Sequence, residues 1–429
     1  MTHRLPLFSS RTLWKRIEVW TISPLILSAV VTIVTAPILL FYFHQVSFNG
    51  IVANLFAIPL ISLLIPLMIF VVILPAGMAG FFYHGFLLVH QLLISWTDFC
   101  AELPFTYNFV RFSPLQFLLS GILLYAGVCL SKRYSKQAII ILPLFLTALA
   151  GVFLLSSPID NLRLTFFDAG TADCALIETP SGQTIMIDSG PPETLPGHIK
   201  STVLPYLRAN GIGRIDWLLL THRHIDHIGG AVYLSRQLVI DNILISEAFA
   251  ETDVWQSIYT VLPTSTRIVI LSDTMTFHLG EVKLLLLHPD RNYTHSDPNN
   301  LSLVARLDFR EFSVLFTGDL SSDGENHLLT QYKEQLDTDI LKLGHHGSDT
   351  ASSPQFLEAV TPIAVFVPAR IGNVHNLPSP EVINRLKNKG ILSYIGGTDG
   401  SLQAFSDGFQ MELTSIVTER DFSLNVVDD

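Results

Sequence analysis

The sequence predicts a chain of two parts: a multi-span α-helical membrane region over residues 1–158, and an α/β sandwich domain over residues 161–429. Long apolar runs dominate the first part, and a membrane-spanning helix needs about 20 such residues. In the second part, short strand-like segments alternate with helical ones, which is typical of sheets covered by helices. Of the 429 residues, 49% are hydrophobic and 15% are charged, as expected for one membrane region joined to one globular domain.

Five apolar segments of the first part are predicted to span a membrane. The first two of them and the turn that follows are interrupted by Pro24, Pro37, Pro59, Pro66 and Pro75. These prolines are consistent either with ordinary kinks or with broken helices that line a passage, and both interpretations stay open. The predicted spans are Ile22–Phe43, Ile51–Leu74, Met78–Trp96, Leu115–Leu130 and Ala138–Leu155.

Basic residues predict how these spans are oriented, because Lys and Arg concentrate in cytoplasmic segments. Four basic residues lie between positions 4 and 16, before the first span, and three lie between positions 132 and 136. With five spans, both basic segments are cytoplasmic and the globular domain is on the outer face of the membrane. One span more or one span fewer would place that domain on the cytoplasmic side.

The second part reads as a series of strands and helices with Gly, Pro and Asp turns between them. Strands are predicted at Leu162–Phe167, Ala175–Glu178, Thr184–Asp188, Ile215–Leu220, Val282–Leu287, Leu303–Leu307, Ser313–Phe316, Ile340–Leu343, Ala364–Val367 and Gln403–Phe405, and helices at Thr202–Asn210, Ser322–Gln335 and Glu381–Asn388. The net charge of −11 argues against a broad basic surface, but it does not exclude a local site for phosphate. Three widely spaced cysteines predict neither a disulfide framework nor a thiolate metal site.

The strongest functional signal is the segment THRHIDH at residues 221–227. It follows the predicted buried strand Ile215–Leu220 and precedes a Gly-Gly pair, so its side chains lie on a strand-to-helix loop and can converge. A solvated polar loop is the alternative, but a motif of several histidines is more specific than single ones. Imidazole and carboxylate suit zinc and other first-row divalent metals. The predicted ligands are His222, His224, Asp226 and His227.

Further residues of the same chemical types follow later strands. Asp319 comes after Ser313–Phe316, and the adjacent His345 and His346 come after Ile340–Leu343. An Asp after a strand is more often a turn or cap residue. Together with the 221–227 segment, however, these residues supply enough ligands for two divalent ions.

These motifs resemble, in the same order, the HxHxDH, TGD and HH motifs of the metallo-β-lactamase superfamily. FDAGTAD at residues 167–173 and LKLGHHGS at residues 341–348 are similar to the C-terminal domain of ComEC-type competence proteins, the bacterial channels for DNA uptake. Thr35-Ala36-Pro37 and NLFAIP at residues 54–59 resemble the later helices of their competence region. The resemblance covers nearly the whole chain. Family members usually carry a further N-terminal region, so the chain is expected to correspond to the C-terminal part of such a protein.

The resemblance implies an αββα sandwich with two bound ions, zinc or manganese, that hydrolyses DNA phosphodiesters during uptake. His222 and His224 would hold one ion, Asp226 and His227 the other, and Asp319 would bridge them. Either His345 or His346 would complete the second site. The implied catalytic residues are Asp226 and Lys342, although an exposed lysine at a strand end is as plausible, and the implied substrate residues are Thr171, Asp173, Asn300 and Ser348.

The implied location is the bacterial inner membrane, with the hydrolase domain outside. DNA, the membrane, and either a missing N-terminal half or other competence proteins would be the partners. Two alternatives stay open: a membrane-tethered hydrolase of a small ester or phosphodiester, since this fold supports many chemistries, and a non-catalytic channel or scaffold. The chain departs from the family pattern at three places, with His224 where many relatives have Asp, Leu377 where they have a late His, and Asn299-Asn300 where the superfamily usually has a ligand.

Overall fold

The computed structural model describes residues 22–133, 161–194 and 199–426. These residues fall into two compact units. The first unit is helical and the second is rich in β-sheet.

The helical unit has four helices among its described residues: α1 (Ser23–Phe43), α2 (Asn49–Ile73), α3 (Ala76–Ala101) and α4 (Pro114–Arg133). A short antiparallel pair, β1 (Val46–Ser47) with β2 (Thr106–Tyr107), joins two of the connections. Within the described part of the chain, α1, α2 and α3 are long and apolar enough to cross a membrane, while the apolar segment of α4 is shorter. The fifth predicted span, Ala138–Leu155, lies outside the described residues.

The prolines do not divide the helices. Helix α1 continues through Pro37, and α2 continues through Pro59 and Pro66. Neighbouring helices can satisfy the backbone groups that a proline frees. Of the two interpretations left open by the sequence, the described helices therefore favour continuous helices over broken ones.

The second unit contains a nine-stranded sheet and a seven-stranded sheet within its described residues. The nine-stranded sheet has the order β18-β17-β16-β3-β4-β5-β6-β7-β8, and it is parallel from β5 to β8. Its strands are β3 (Leu162–Phe166), β4 (Ala175–Glu178), β5 (Thr184–Ile187), β6 (Arg214–Leu219), β7 (Val239–Ser246), β8 (Arg267–Leu271), β16 (Leu402–Ser406), β17 (Gln410–Ser415) and β18 (Asp421–Asn425).

The seven-stranded sheet has the order β15-β14-β13-β12-β11-β10-β9. It is antiparallel from β9 to β12 and parallel from β12 to β15. Its strands are β9 (Met275–Leu279), β10 (Val282–His288), β11 (Val304–Phe309), β12 (Phe312–Phe316), β13 (Ile340–Lys342), β14 (Ala364–Val367) and β15 (Leu392–Ile395).

Short helices connect the strands. The predicted helix Ser322–Gln335 is shorter than expected, since it ends at Gln331 and a separate 3₁₀ turn, Lys333–Gln335, follows. The α-helices are α5 (Val203–Ala209), α6 (Ile225–Ile228), α7 (Ala231–Gln237), α8 (Glu247–Ala250), α9 (Asp253–Tyr259), α10 (Ser322–Gln331), α11 (Pro354–Val360), α12 (Pro380–Asn388) and α13 (Gly396–Asp399).

The two sheets enclose the main core. Phe166 of β3 stacks on Phe366 of β14 with ring centroids 5.3 Å apart, and it lies 5.7 Å from the ring of Phe316 in β12. The other face of the seven-stranded sheet packs against apolar residues of α10, α11 and α12, including Leu328 and Leu386. Sheets that each bury one face against the other, with helices outside, form the predicted α/β sandwich.

Parallel strands bring their carboxyl ends to one edge of a sheet, where ligands usually bind in α/β folds. In this unit, Asp188 and the 221–227 segment directly follow β5 and β6 of one sheet. Asp319 follows β12 of the other sheet, and His346 follows β13. Side chains from distant parts of the sequence therefore meet at this edge.

Candidate metal centre

Six side chains at this edge form two groups of potential metal ligands. Within each group, one donor atom from every residue lies within 4.8 Å of the others. Asp319, for which the family resemblance implies a bridging role, belongs to both groups. The first group is Asp173, His227, Asp319 and His346, and the second is His222, His224 and Asp319.

Unsatisfied buried atoms indicate that the groups suit a cation. Within the described residues, His227 Nε2, Asp173 Oδ1 and Asp319 Oδ1 are buried without a hydrogen-bond partner. A buried polar atom without a partner costs roughly 1–3 kcal/mol. Asp319 Oδ2 lies 3.2 Å from His227 Nε2 and 3.4 Å from His346 Nε2. The residues present thus fit the divalent metal that the fold family implies, because the unpaired atoms are lone-pair donors of the types that bind such ions.

Hydrogen bonds to Nδ1 orient two of the histidines in the first group. His227 Nδ1 donates to Asp188 Oδ2 at 2.7 Å, and His346 Nδ1 donates to the Pro368 carbonyl at 3.0 Å. Each bond places a ring N–H on Nδ1 and leaves Nε2 facing the cluster, the usual arrangement for a metal-binding imidazole. The sequence pattern places Asp188 at the end of a predicted strand and does not predict this role.

The carboxylates of the cluster stabilise positive charge within it. Burial opposes a charge on His227, but Asp319, Asp188 and Asp173 outweigh it and raise the pKa of His227 well above its usual range. Burial likewise opposes the negative charge on Asp319, yet His227 and His346 hold the pKa of that carboxyl well below its usual range. A divalent ion carries the kind of charge that these carboxylates stabilise.

The glycine pair after the motif allows a close approach of two loops. A Cβ atom on Gly230 would collide with the Ser189 carbonyl oxygen, and one on Gly229 would collide with the backbone of Pro192. Ser189 N donates to the His227 carbonyl at 2.6 Å across this contact. The two glycines therefore bring the loop after β5 against the motif, which places Asp188 behind His227.

Of the two adjacent histidines left open by the sequence, the structure brings His346 into the cluster. His346 is buried and belongs to the first ligand group. His345 belongs to neither group, and its Nδ1 lies 3.1 Å from Thr350 Oγ1.

Asp226 and Lys342 occupy positions that differ from those expected. Asp226 lies outside both ligand groups, and its Oδ2 is 3.1 Å from His346 Nε2. Lys342 is buried, so the alternative of an exposed strand-end lysine is wrong. Its Nζ donates to the Asp173 carboxylate and, at 2.7 Å, to the Gly318 carbonyl. The Lys342 charge is thus directed at a ligand carboxylate.

A groove of about 800 Å³ adjoins the cluster, and we call it the main groove. It is lined by His224, Asp226, Asp319 and His346 together with polar and apolar residues on the loops around them. Thr171 and Ser348, two of the expected substrate residues, line this groove, as do His375 and Leu377 at one of the departures from the family pattern.

The other two expected substrate residues lie elsewhere. Asp173 is a member of the first ligand group. Asn300 is buried, and its Oδ1 accepts hydrogen bonds from Ser321 N at 3.2 Å and Gly324 N at 3.0 Å. Asn300 therefore anchors the start of α10 and does not contact the main groove. Its neighbour Asn299 does line the groove, with a buried Oδ1 that has no partner within the described residues.

The class of the domain follows from sequence comparison and agrees with this fold and site. Residues 167–369 match the family model described as the metallo-beta-lactamase superfamily. Residues 3–134 match the model described as competence protein. The chain thus combines a region that matches the competence model with a region that matches the metallo-β-lactamase model, which confirms the predicted resemblance to ComEC-type competence proteins.

The chain is also similar to particular relatives. The chain is 25% identical over 405 residues to ComE operon protein 3 of Bacillus subtilis, covering 88% of this chain and 51% of that protein. It is 28% identical over 246 residues to competence protein ComA of Neisseria gonorrhoeae, covering 57% of this chain and 32% of that protein. The chain therefore spans about half or less of these relatives. Among solved structures, the metallo-β-lactamase fold protein YhfI of Bacillus subtilis aligns with a TM-score of 0.38 and 13% identity, over 58% of this chain and 100% of YhfI.

The superfamily match and the ligand groups indicate a divalent-metal-binding domain of a hydrolase fold. The apolar helices and the competence match indicate a membrane protein.

Proposed function

We propose that residues 161–429 form a metal-dependent hydrolase that cleaves DNA phosphodiesters while DNA is taken up through the membrane region of residues 1–158. The observation that carries this proposal is the convergence of six ligand side chains in two groups that share Asp319. Two ions that share a carboxylate are typical of enzymes that cleave phosphodiesters. The match to the competence model and the similarity to a protein named as a competence protein support DNA as the substrate, and the apolar helices support the membrane as a partner.

Each group would hold one divalent ion, zinc or manganese, with Asp319 between them. When bound, such a pair supplies a water of lowered pKa and a clamp for phosphoryl oxygens. Lys342 keeps the Asp173 carboxylate directed at the first group through its buried ion pair. Asp226 lines the main groove beside His346, and its carboxylate is placed to accept a proton from an attacking water or to orient that water.

The test is DNA cleavage by the full chain in detergent micelles. The protein is first stripped with a chelator and then supplied with Mn²⁺ or Zn²⁺, and labelled single- and double-stranded DNA are the substrates. We expect cleavage only after metal is restored. Bound metal without DNA cleavage, but with hydrolysis of a small ester or phosphodiester, would favour the small-molecule alternative. Bound metal without any hydrolysis would favour a non-catalytic channel or scaffold, and no bound metal would contradict the site itself.

We further propose that the hydrolase domain lies on the outer face of the bacterial inner membrane, as the basic segments predict with five spans. In right-side-out membrane vesicles, added protease is expected to digest residues 161–429. In inverted vesicles, the same domain is expected to be protected. The reverse pattern would place the domain in the cytoplasm and exclude an odd number of spans with a cytoplasmic N-terminus.

A further inference from the structure

A second recess, which we call the side recess, also reaches the candidate metal centre. It has a volume of about 220 Å³, and its lining includes His222 and Arg223. The main groove is lined by His224, whose ring centroid is 4.6 Å from that of His222. The two cavities are thus lined by neighbouring imidazole rings of one ligand group. A linear substrate that extends past both rings would enter both cavities.

The two cavities differ in charge. The main groove contains the carboxylates of Asp226, Asp319 and Asp349. Among the described residues that line the side recess there is no carboxylate, and its charged or titratable members are Arg223, His222 and His295. An anionic group is therefore accommodated better in the side recess than in the main groove.

Arg223 is the cation available there. Its side chain is exposed, and it forms no ion pair or hydrogen bond within the described residues. By contrast, Arg214 and Arg385 on the same unit pair with carboxylates. A guanidinium next to a metal ligand, but not neutralised by the chain, suits a phosphate, which it can bind through two parallel hydrogen bonds.

The interior of the side recess is suited to an unstacked base. Phe249, Pro298 and Leu301 contribute apolar surface, while hydroxyl side chains, among them Ser296, contribute polar groups. A cavity holds one water molecule when roughly 10–15 Å³ of its space is open to the centre of a water-sized sphere. A recess of about 220 Å³ thus has room for a planar ring. Apolar and aromatic surfaces bind bases only when these are unpaired and exposed.

We propose that Arg223 and the side recess bind the phosphate and the unstacked base of one nucleotide next to the phosphodiester that is cleaved. This inference rests on the proposed function and narrows its substrate to a DNA strand that is unpaired at the site. Arg223 is then a positioning residue, since it holds the strand and does not contact the reacting bond.

The first test measures binding without catalysis. The full chain in detergent micelles is titrated, in the presence of EDTA, against a labelled single-stranded oligonucleotide at several salt concentrations. Arg223→Ala is expected to raise Kd about tenfold and to reduce the slope of log K against log salt by roughly 0.7, the contribution of one phosphate contact on a single strand. Arg223→Lys is expected to restore most of the slope, because it restores the charge.

The matched control is Arg236→Ala. Arg236 is also exposed and lies on α7, but it lines neither cavity. Its Kd and salt slope are expected to equal those of wild type. Equal losses of affinity in the two alanine variants would mean that the overall charge of the protein, and not the side recess, determines binding. An Arg223→Ala variant with unchanged Kd and salt slope would also overturn the proposal.

The second test locates the base. Oligonucleotides with a single abasic position are compared in the same assay, and one position is expected to weaken binding about tenfold, the scale of one base stacked on a protein surface. The same lesion in a duplex of that sequence is expected to have no such effect. Uniform binding at every abasic position would contradict the base-binding part of the inference.

Kinetics separate this inference from the proposed function. With Mn²⁺ restored, Arg223→Ala is expected to raise KM for the oligonucleotide about tenfold with kcat within about twofold of wild type, the pattern of lost uniform binding. If wild type cleaves no DNA, the proposed function fails, while the EDTA titrations still decide the role of Arg223.

Discussion

Replacement of Asp319 by asparagine is expected to abolish DNA hydrolysis and to lower the bound metal below one ion per chain. The Asp319 carboxylate is shared by both ligand groups, so its loss weakens both. Asparagine has nearly the same shape but carries no charge, so the fold is expected to remain intact. We expect hydrolysis to fall by at least about 10⁴-fold, the scale seen when one member of a catalytic unit is removed. Metal content by mass spectrometry and cleavage of labelled DNA measure the two effects.

The matched control for this variant is Asp349→Asn. Asp349 is exposed and lines the same main groove, but it belongs to neither ligand group. It is expected to retain wild-type metal content and most of the wild-type cleavage rate. If Asp319→Asn binds metal and cleaves DNA as wild type does, the site has been assigned to the wrong residues.

Asp188→Asn is expected to bind metal more weakly than wild type but more tightly than Asp319→Asn. Asp188 is outside both ligand groups but accepts the hydrogen bond from His227 Nδ1. Its carboxylate also binds the backbone and the hydroxyl of Thr221. Loss of such a supporting group typically lowers metal affinity about 10–100-fold, so metal is expected to return at higher concentration.

Replacement of Phe166 by alanine is expected to give the largest loss of stability in the sheet-rich unit. The Phe166 side chain is fully buried between the sheets and contacts the rings of Phe316 and Phe366. Removal of a buried phenyl ring typically costs about 3–5 kcal/mol, a large fraction of the roughly 5–15 kcal/mol that stabilises a domain. Hydrogen exchange of the β3, β12 and β14 amides in the full chain measures the change in the free energy of opening.

Phe409→Ala is the matched control, because Phe409 is 46% exposed in the same unit. Its ring contacts the Arg310 guanidinium, whose carbon lies 5.6 Å from the ring centroid. An exposed contact of this kind contributes about 0.5–1 kcal/mol. Equal losses in the two variants would mean that the aromatic cluster between the sheets does not determine the stability of the unit.

Much of the secondary structure could be predicted because the local hydrophobic pattern determines it. Ala175–Glu178 and Ala364–Val367 coincide with β4 and β14, since these strands are apolar and end at turn residues. Six strands of the second unit were not predicted: β7, β8, β9, β15, β17 and β18. Of these, β9 and β18 lie at an edge of each sheet and are largely exposed, so their sequences lack the apolar pattern that burial imposes. Strand β7 is largely buried between β6 and β8, so exposure does not account for its omission.

The sequence by itself determined the types of ligand and their order along the chain. Local signals, namely apolar strands and glycines, lie next to each of these candidate ligands and place them on loops: the 221–227 segment, Asp319 and the paired histidines. Such signals act within a few residues. The prediction of a divalent metal needed no further information, because it depends on the chemistry of imidazole and carboxylate.

Only the tertiary structure decided which side chains meet. It places Asp173 among the potential ligands, His346 and not His345 in the cluster, and Asp188 behind His227. These choices depend on how two separate sheets align their parallel edges and on where each side chain points after the strand ends. That alignment results from packing between residues far apart in the chain. A local sequence pattern carries no information about such packing.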